Sequence, residues 1–118
     1  MSGRSDFAAF VEDALQPLGP VHIRAMFGGH GVFLDGMMFA LVADDALYLK
    51  TDEESRLAFE AANLGPFVYG GRNGPTTTSY HEAPEPLDDW AVLGPWVRGA
   101  LDAAMRANAK KRSHRPRA

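Results

Sequence analysis

Between residues 21 and 50 the apolar residues recur with a period of two, and this pattern constrains the fold more than any other feature. Asp35-Gly36 and Asp44-Asp45 separate the apolar runs, and Asp-Gly in such a position is a strong hairpin signal because both residues tolerate positive φ. The segment therefore predicts four consecutive antiparallel strands. They are Val21–Phe27, Val32–Leu34, Met37–Val42 and Leu47–Lys50.

Helical patterns flank this meander on both sides. From Ser5 to about Gln16 apolar residues recur at helical spacing, with Ser5 placed to cap the helix. The residues predicted to face the core are Phe7, Phe10, Val11, Ala14 and Leu15. A second helix is predicted after Lys50, where Thr51 and Glu54 are spaced as a capping box. Its predicted apolar face is Leu57, Ala58, Ala61 and Ala62.

The rest of the chain predicts two more strands and a C-terminal helical segment. The strands are Phe67–Tyr69 and Thr76–Tyr80, joined by a glycine-rich loop. The helical segment begins at Asp88 or Asp89, and Gly94-Pro95 leaves open whether it is one helix or two. The order α-β-β-β-β-α-β-β-α predicts a two-layer α+β fold, in which helices pack on an antiparallel sheet.

Length and charge divide the chain into a body and a tail. With 118 residues, 46% of them hydrophobic, the chain can bury one core, so a single domain is expected over residues 1–109. Residues 110–118 are expected to be a flexible basic tail, whose cations are Lys110, Lys111, Arg112, Arg115 and Arg117. Without these five the chain has seven basic against fifteen acidic residues, a net charge of −8. A solubilising end is the favoured interpretation of the tail, and weak, salt-dependent nucleic-acid contact is the alternative.

Several classes of protein are excluded or disfavoured by what the sequence lacks. The absence of cysteine excludes disulfides and thiolate sites. No signal-peptide pattern opens the chain and no stretch has the length of a membrane span, so we expect a cytoplasmic protein with no membrane contact. There is no P-loop, G-x-S-x-G or H-E-x-x-H motif. Metal-ligand spacing is also missing among the four histidines, although His30 and His81 could still meet in space. The other two are His22 and His114. We therefore expect no catalytic residues, no metal and no cofactor.

The turn Gly28-Gly29-His30-Gly31 admits two interpretations. A phosphate loop is usually followed by a helix N-terminus, whereas a strand follows here. Glycines between strands more often supply positive φ or a bulge. The alternative is a nest of backbone N–H groups that holds an anion beside Arg24.

Arg24, Lys50 and Tyr80 are the other candidate binding residues. Arg24 lies in an apolar strand, and the predicted meander allows it to share a sheet face with Lys50 or Tyr80. A cation on a half-buried face needs a carboxylate or an anionic ligand. One interpretation is a structural salt bridge, with Asp52, Glu54 or Glu82 as the partner. The other is an anionic or nucleotide-like ligand, or an acidic protein, bound by Arg24, Lys50 and Tyr80.

Motifs along most of the chain resemble the N-terminal domain of the TfoX/Sxy family. The resemblance runs from about residue 5 to 107, and its combined pattern is specific although each piece alone is weak. The matching residues are Arg24, Met26–Gly29, Gly31, Phe39-Ala40, Leu47–Asp52, Pro66-Phe67, Tyr69, Tyr80, Pro84, Leu93 and Trp96. The resemblance implies the same order of elements, in an architecture similar to type III secretion chaperones.

The resemblance also implies a function. Full-length TfoX/Sxy proteins regulate natural competence together with the cyclic-AMP receptor protein, and this chain is similar to their first half. A non-enzymatic regulatory module is therefore expected, with a protein partner and a homodimer as candidate assemblies. The alternative is a small anionic-ligand-binding domain, or a degenerate enzyme, with a polar pocket near Arg24, Lys50 and Tyr80.

Overall fold

The predicted order of helices and strands is confirmed in a computed structural model of the chain. The structure describes residues 6–26 and 28–113. Residues 112 and 113 are described by their backbone alone. The elements are α1 (Asp6–Ala14), a 3-10 turn (Gln16–Leu18), β1 (His22–Met26), β2 (Gly29–Leu34), β3 (Met37–Ala43), β4 (Ala46–Lys50), α2 (Glu53–Ala61), β5 (Pro66–Gly71), β6 (Gly74–Glu82) and α3 (Trp90–Ser113). The Ser5 cap predicted for α1 lies outside the described residues.

The strands form one six-stranded antiparallel sheet in the order β1-β2-β3-β4-β6-β5. The β2–β3 and β3–β4 turns each use two residues with positive φ. These are Asp35 at 51° with Gly36 at 78°, and Asp44 at 51° with Asp45 at 56°. That geometry matches the right-handed twist of the strands it joins. The turn residues thus fix the meander, and β6 extends the sheet by pairing with β4.

All three helices contribute to one hydrophobic core on a single face of the sheet. α3 crosses β3 and β4, α1 packs near β1, and α2 packs against β6 and α3. A register shift in the β2–β3 pairing, opposite Val32 and Phe33, leaves β3 with one extra residue. Phe39 and the adjacent Ala40 are consequently both fully buried. Other fully buried core residues are Val11, Leu15, Val32, Leu49, Leu93, Val97 and Ala100.

The predicted apolar faces of α1 and α2 are partly wrong. Phe10 of α1 is 41% exposed, while Ala8 is fully buried in its place on the core side. In α2 the predicted Leu57 is 62% exposed, and the buried residue is Phe59, at 3%. The Phe59 ring packs edge-on against Trp96 of α3, with centroids 4.8 Å apart. Because α2 lies at the side of the sheet, one aromatic residue anchors it and its alanines face outward.

The predicted capping box of α2 is displaced by one residue. Asp52 is the N-cap: its carboxylate accepts a hydrogen bond from the backbone N–H of Ser55 at 2.9 Å. The hydroxyl of Ser55 in turn accepts one from the N–H of Asp52 at 3.0 Å. Thr51 is unavailable for capping because it is buried and its N–H donates to the carbonyl of Ser79. Tertiary contacts therefore moved the cap from Thr51 to Asp52.

The C-terminal segment is one helix, despite Pro95 inside it. Asp89 starts it, since its carboxylate accepts a hydrogen bond from the N–H of Ala91 at 3.1 Å. Leu93 and Val97, on either side of the proline, are both fully buried and hold the helix on the sheet. The proline removes one helical hydrogen bond close to the N-terminus, where its effect on the helix is smallest. α3 continues through Ser113, so the first residues of the predicted tail are helical.

Candidate functional site

The two faces of the sheet carry two different grooves. On the helix side a polar groove of about 1150 Å³ lies between α2, β6 and the C-terminal part of α3; we call it the charged groove. Its principal polar lining residues are Lys50, Asp52, Arg56, Glu60, Ser79, His81, Arg106 and Lys110. On the opposite, helix-free face lies the apolar groove, of about 250 Å³. It is lined by Gly29, Met38, Leu41, Ala43, Phe67, Tyr69, Thr76, Thr78 and Tyr80.

Arg106 of α3 organises the N-terminal end of α2, on one wall of the charged groove. Its Nε donates to Oδ2 of Asp52 at 2.6 Å and one terminal nitrogen donates to Oδ1 at 3.1 Å. The other terminal nitrogen lies 3.5 Å from a carboxylate oxygen of Glu54. The hydrogen bonds from Arg106 hold the pKa of Asp52 well below its usual range, and its capping contact with Ser55 adds to the effect. Asp52 is therefore ionised and fully engaged.

A second ion pair lies further along α2. Arg56 donates to Glu60 at 3.1 Å, in the i, i+4 arrangement of exposed helix pairs. Both side chains remain about half exposed, so this pair contributes little stability. It does neutralise one more carboxylate beside the groove.

Lys50 is placed differently from these cations. Its amine donates to the hydroxyl of Ser79 at 2.7 Å and lies 5.2 Å from the centre of the Tyr80 ring. Within residues 6–26 and 28–113, no carboxylate lies within ion-pair distance of this amine. Burial lowers the pKa of Lys50; the charge of Lys111 adds to this, while Asp52 acts in the opposite direction. Lys50 is thus a half-buried cation held by a hydroxyl group.

Thr51 and His81 form a buried polar pair beneath the groove. The Thr51 hydroxyl and Nδ1 of His81 share a hydrogen bond at 3.1 Å, and both residues are nearly inaccessible. The His81 ring also contacts Phe59, with centroids 5.5 Å apart. Burial lowers the pKa of His81, so the ring is neutral at pH 7. This pair ties the start of α2 to the sheet.

The apolar groove has no charged residue in its lining. Tyr48 and Phe67 pack beside it, with ring centroids 4.9 Å apart. Burial raises the pKa of Tyr80, so its hydroxyl is neutral at physiological pH. The groove therefore offers a hydrophobic surface with a few hydroxyl groups.

Arg24, Lys50 and Tyr80 do share one face of the sheet, but Arg24 is remote from the other two. The pairing of β1 with β2, β3 and β4 places Arg24 and Tyr48 on the same side, and Lys50 pairs directly with Tyr80. Three strand spacings separate Arg24 from Lys50, about 14 Å. The Arg24 guanidinium lies 5.4 Å from the centre of the Phe33 ring.

The expected salt bridge of Arg24 is absent from the part of the chain that the structure describes. Asp52 and Glu54 instead bind Arg106. Glu82 accepts a hydrogen bond from the backbone N–H of Gly65 at 3.1 Å. Arg24 is therefore separated from the Lys50–Tyr80 pair, although all three residues lie on one face of the sheet.

The glycine turn has a structural explanation in its backbone. Gly28 has a positive φ of 77°, which favours glycine. A Cβ atom on Gly29 would lie 2.2 Å from the carbonyl oxygen of Val42, so only glycine allows β2 to approach β3 there. His30 pairs with Ala25 and Val42, three strands from His81 in β6. The two histidines are not brought together.

Lys110 of the predicted tail and several unpredicted residues line the charged groove. Lys110 lines it, Lys111 acts electrostatically on Lys50, and the side chains of Arg112, Arg115 and Arg117 lie outside the described residues. Sequence reasoning missed Ser79 and Arg106. Ser79 adjoins the predicted Tyr80, which pairs with Lys50, but nothing local to Arg106 identifies a partner 54 residues away.

Among the described residues, no three His, Asp or Glu side chains are grouped so that they could hold a metal ion. No described helix combines the length and hydrophobicity needed to cross a membrane.

Comparison with known proteins identifies the family. The chain is 32% identical over 71 residues to the DNA transformation protein TfoX1 of Aliivibrio fischeri, strain ATCC 700601 / ES114. The matched segment covers 60% of this chain and 34% of that protein, so the chain spans about a third of the length of its relative. The sequence also matches the TfoX N-terminal domain over residues 13–104, from within α1 to within α3. The chain therefore belongs to the TfoX N-terminal domain family.

Proposed function

We propose that this chain is a non-catalytic interaction module that acts in DNA transformation by binding a protein partner on the helix-free face of its sheet. The observation that carries the proposal is the contrast between the two sheet faces. One face packs its apolar residues against the helices, whereas the other presents the apolar groove and partly exposed aromatic side chains. An uncovered apolar face of this kind is typical of a protein-binding surface.

The chemistry of the helix-free face favours a protein over a nucleic acid. The groove lining contains no cation to bind phosphate, and the chain without its tail has a net charge of −8. Tyrosine and phenylalanine at its rim are the residues most enriched in protein interfaces. The partner we expect therefore presents apolar side chains that fill the groove beside Tyr69.

The name of the relative from Aliivibrio fischeri supports the biological setting. That protein is about three times as long as the segment it shares with this chain, so its shared domain is joined to further polypeptide. A domain with one uncovered apolar face is suited to work against another protein surface.

Adjacent residues of β5 provide a matched test. Tyr69 is 43% exposed on the helix-free face, and Val68 is 48% exposed on the opposite face. When the Tyr69→Asp variant is expressed in place of the wild-type protein in its own organism, we expect transformation frequency to fall at least about tenfold. The reason is that a charge in the interface opposes docking. Val68→Asp should leave the frequency near that of the wild type.

Two further measurements make this test decisive. Circular dichroism melting must show that both variants remain folded. Light scattering of the wild-type chain then identifies whether the partner is a second copy, in which case Tyr69→Asp alone reduces the mass to that of a monomer. Equal transformation frequencies for wild type, Tyr69→Asp and Val68→Asp would overturn the proposal.

A further inference from the structure

We propose that the charged groove binds the phosphate group of a small phosphorylated molecule at its Lys50 end, with Lys50 and Ser79 contacting the phosphate and Lys111 adding charge. The site adjoins the apolar groove at Tyr80, over whose ring the Lys50 amine lies, but the proposal does not rest on the protein-docking function. It also differs from the site expected around Arg24, which is about 14 Å away across the sheet.

The first argument is the uncompensated charge of Lys50. Its amine is half-buried, and its one polar partner within residues 6–26 and 28–113 is the neutral hydroxyl of Ser79, at 2.7 Å. A cation removed from water is costly unless an anion is near. Burial lowers the pKa of Lys50, and the opposing effect of Asp52 does not cancel it. A bound phosphate would supply an anion in direct contact with the amine.

The second argument is that the carboxylates of the groove are occupied elsewhere. Asp52 accepts two hydrogen bonds from Arg106 and one from the backbone of Ser55. Glu54 also faces Arg106, and Glu60 is paired with Arg56. None of these hydrogen bonds and ion pairs needs to break for an anion to approach Lys50. Asp52, Glu54 and Glu60 therefore each have a partner other than Lys50, although the lining of the groove as a whole has mixed charge.

The third argument is the hydrogen-bonding capacity around the amine. The Ser79 hydroxyl accepts from Lys50 and retains its own proton to donate, which a phosphate oxygen would accept. Thr77, two residues before Ser79 in β6, also lines the groove and offers a further hydroxyl group. Charge-assisted hydrogen bonds to phosphate are among the strongest that side chains form.

The size of the groove and the position of α3 indicate a small molecule with more than a phosphate group. The groove volume of about 1150 Å³ exceeds that of a phosphate ion and is in the range of small-molecule sites. Lys111, in the last turns of α3, is close enough to lower the pKa of Lys50 and so adds to the positive potential. The exposed acidic residues Glu53 and Glu54 beside the groove disfavour a long polyanion such as nucleic acid.

Titration with pyrophosphate, followed by backbone amide NMR at pH 7, tests the site. In the full chain we expect saturable shifts at Lys50, Thr51, Ser79 and Tyr80. Lys50→Met should weaken binding by about tenfold or more, because it removes a charged hydrogen bond while keeping the length of the side chain. Ser79→Ala should weaken it less, and Lys50→Arg should retain most of it.

Arg24→Met is the matched control, since it removes a cation that also lies over an aromatic ring on the same sheet. It should leave pyrophosphate binding unchanged. If Lys50→Met unfolds the chain, Ser79→Ala and Lys50→Arg still carry the test. Shifts confined to residues 110–118, abolished by moderate salt and unaffected by Lys50→Met, would overturn the proposal, as would the absence of saturable binding. Tyr69→Asp should not change the titration, so this result is separable from that of the docking function.

Discussion

The two faces of the sheet come from the same six strands but differ in how they are covered. On the helix side, Phe59 of α2 is nearly inaccessible and packs against both Trp96 and His81. On the helix-free side, Phe67 of β5 packs against Tyr48 and remains partly exposed beside the apolar groove. The first face is the core that stabilises the fold, and the second leaves apolar surface that the fold itself does not use.

Because of this difference, the residues that stabilise the fold lie on one face of the sheet and those proposed to bind a partner lie on the other. Apolar residues between sheet and helices are explained by burial, which is the dominant favourable contribution to folding. Those on the helix-free face gain less from folding and are available to another molecule. Substitutions on the two faces should therefore differ in their effect on stability, and the following experiments test that difference.

A matched pair of phenylalanine substitutions should show the largest effect. Phe59→Ala should lower the free energy of unfolding by about 3–5 kcal/mol, because it leaves a cavity between α2, α3 and the sheet. Phe67→Ala should cost about 1–2 kcal/mol, since only part of its ring is buried. Urea unfolding at pH 7 measures both. Equal losses would mean that the helix-free face is as tightly packed as the core, and would contradict the proposed difference between the two faces.

The glycine turn should be an exception to the tolerance of the helix-free side. Gly29→Ala should cost about 2–3 kcal/mol, because its Cβ would collide with the carbonyl of Val42 and force β2 away from β3. Gly28→Ala, which faces open space but has positive φ, should cost about 1 kcal/mol. The same urea titrations compare them. A larger loss for Gly28→Ala would show that turn conformation, and not close strand approach, requires these glycines.

Arg106→Met should produce a smaller, pH-dependent loss. Because Arg106 holds the pKa of Asp52 low, ionised Asp52 stabilises the fold above its unfolded-state pKa of about 4. This contribution is lost as the pH falls from about 4 through the folded-state pKa. The stability difference between wild type and variant should thus be present at pH 7 and decrease below pH 4. A carboxyl NMR titration should show the pKa of Asp52 returning towards its usual value, and no change in that pKa would contradict the assignment.

Leu57→Ala should have the smallest effect, within about 0.5 kcal/mol. The sequence pattern predicts Leu57 on the core side of α2, but it is 62% exposed. Thermal unfolding followed by circular dichroism measures the change. A loss close to that of Phe59→Ala would restore the predicted apolar face and contradict the packing of α2.

The strands and their turns were the most predictable part of the molecule. Asp35-Gly36 and Asp44-Asp45 both adopt the positive φ values expected of tight hairpins. The helices were predicted in place, but the faces of α1 and α2 were not, because local spacing does not decide which side of a short helix meets the sheet. Phe59 and Leu57 differ by two positions and are equally compatible with a helix.

The candidate site was predicted only in part. Lys50 and Tyr80 are paired in the sheet as their strand positions allow, whereas three strand spacings separate Arg24 from Lys50, so a role for Arg24 in binding stays a prediction. The link between Lys111 and Lys50 was not predicted, since it depends on α3 crossing the sheet as one uninterrupted helix.

The sequence by itself determined the order of elements, the two hairpins and the α+β class, because these follow from local periodicity and turn chemistry. Tertiary structure decided which apolar residues form the core, that Asp52 and not Thr51 caps α2, and that Lys50, Ser79 and Lys110 line one groove. Those outcomes depend on contacts between residues far apart in the chain, whose distances are set only when sheet and helices pack together.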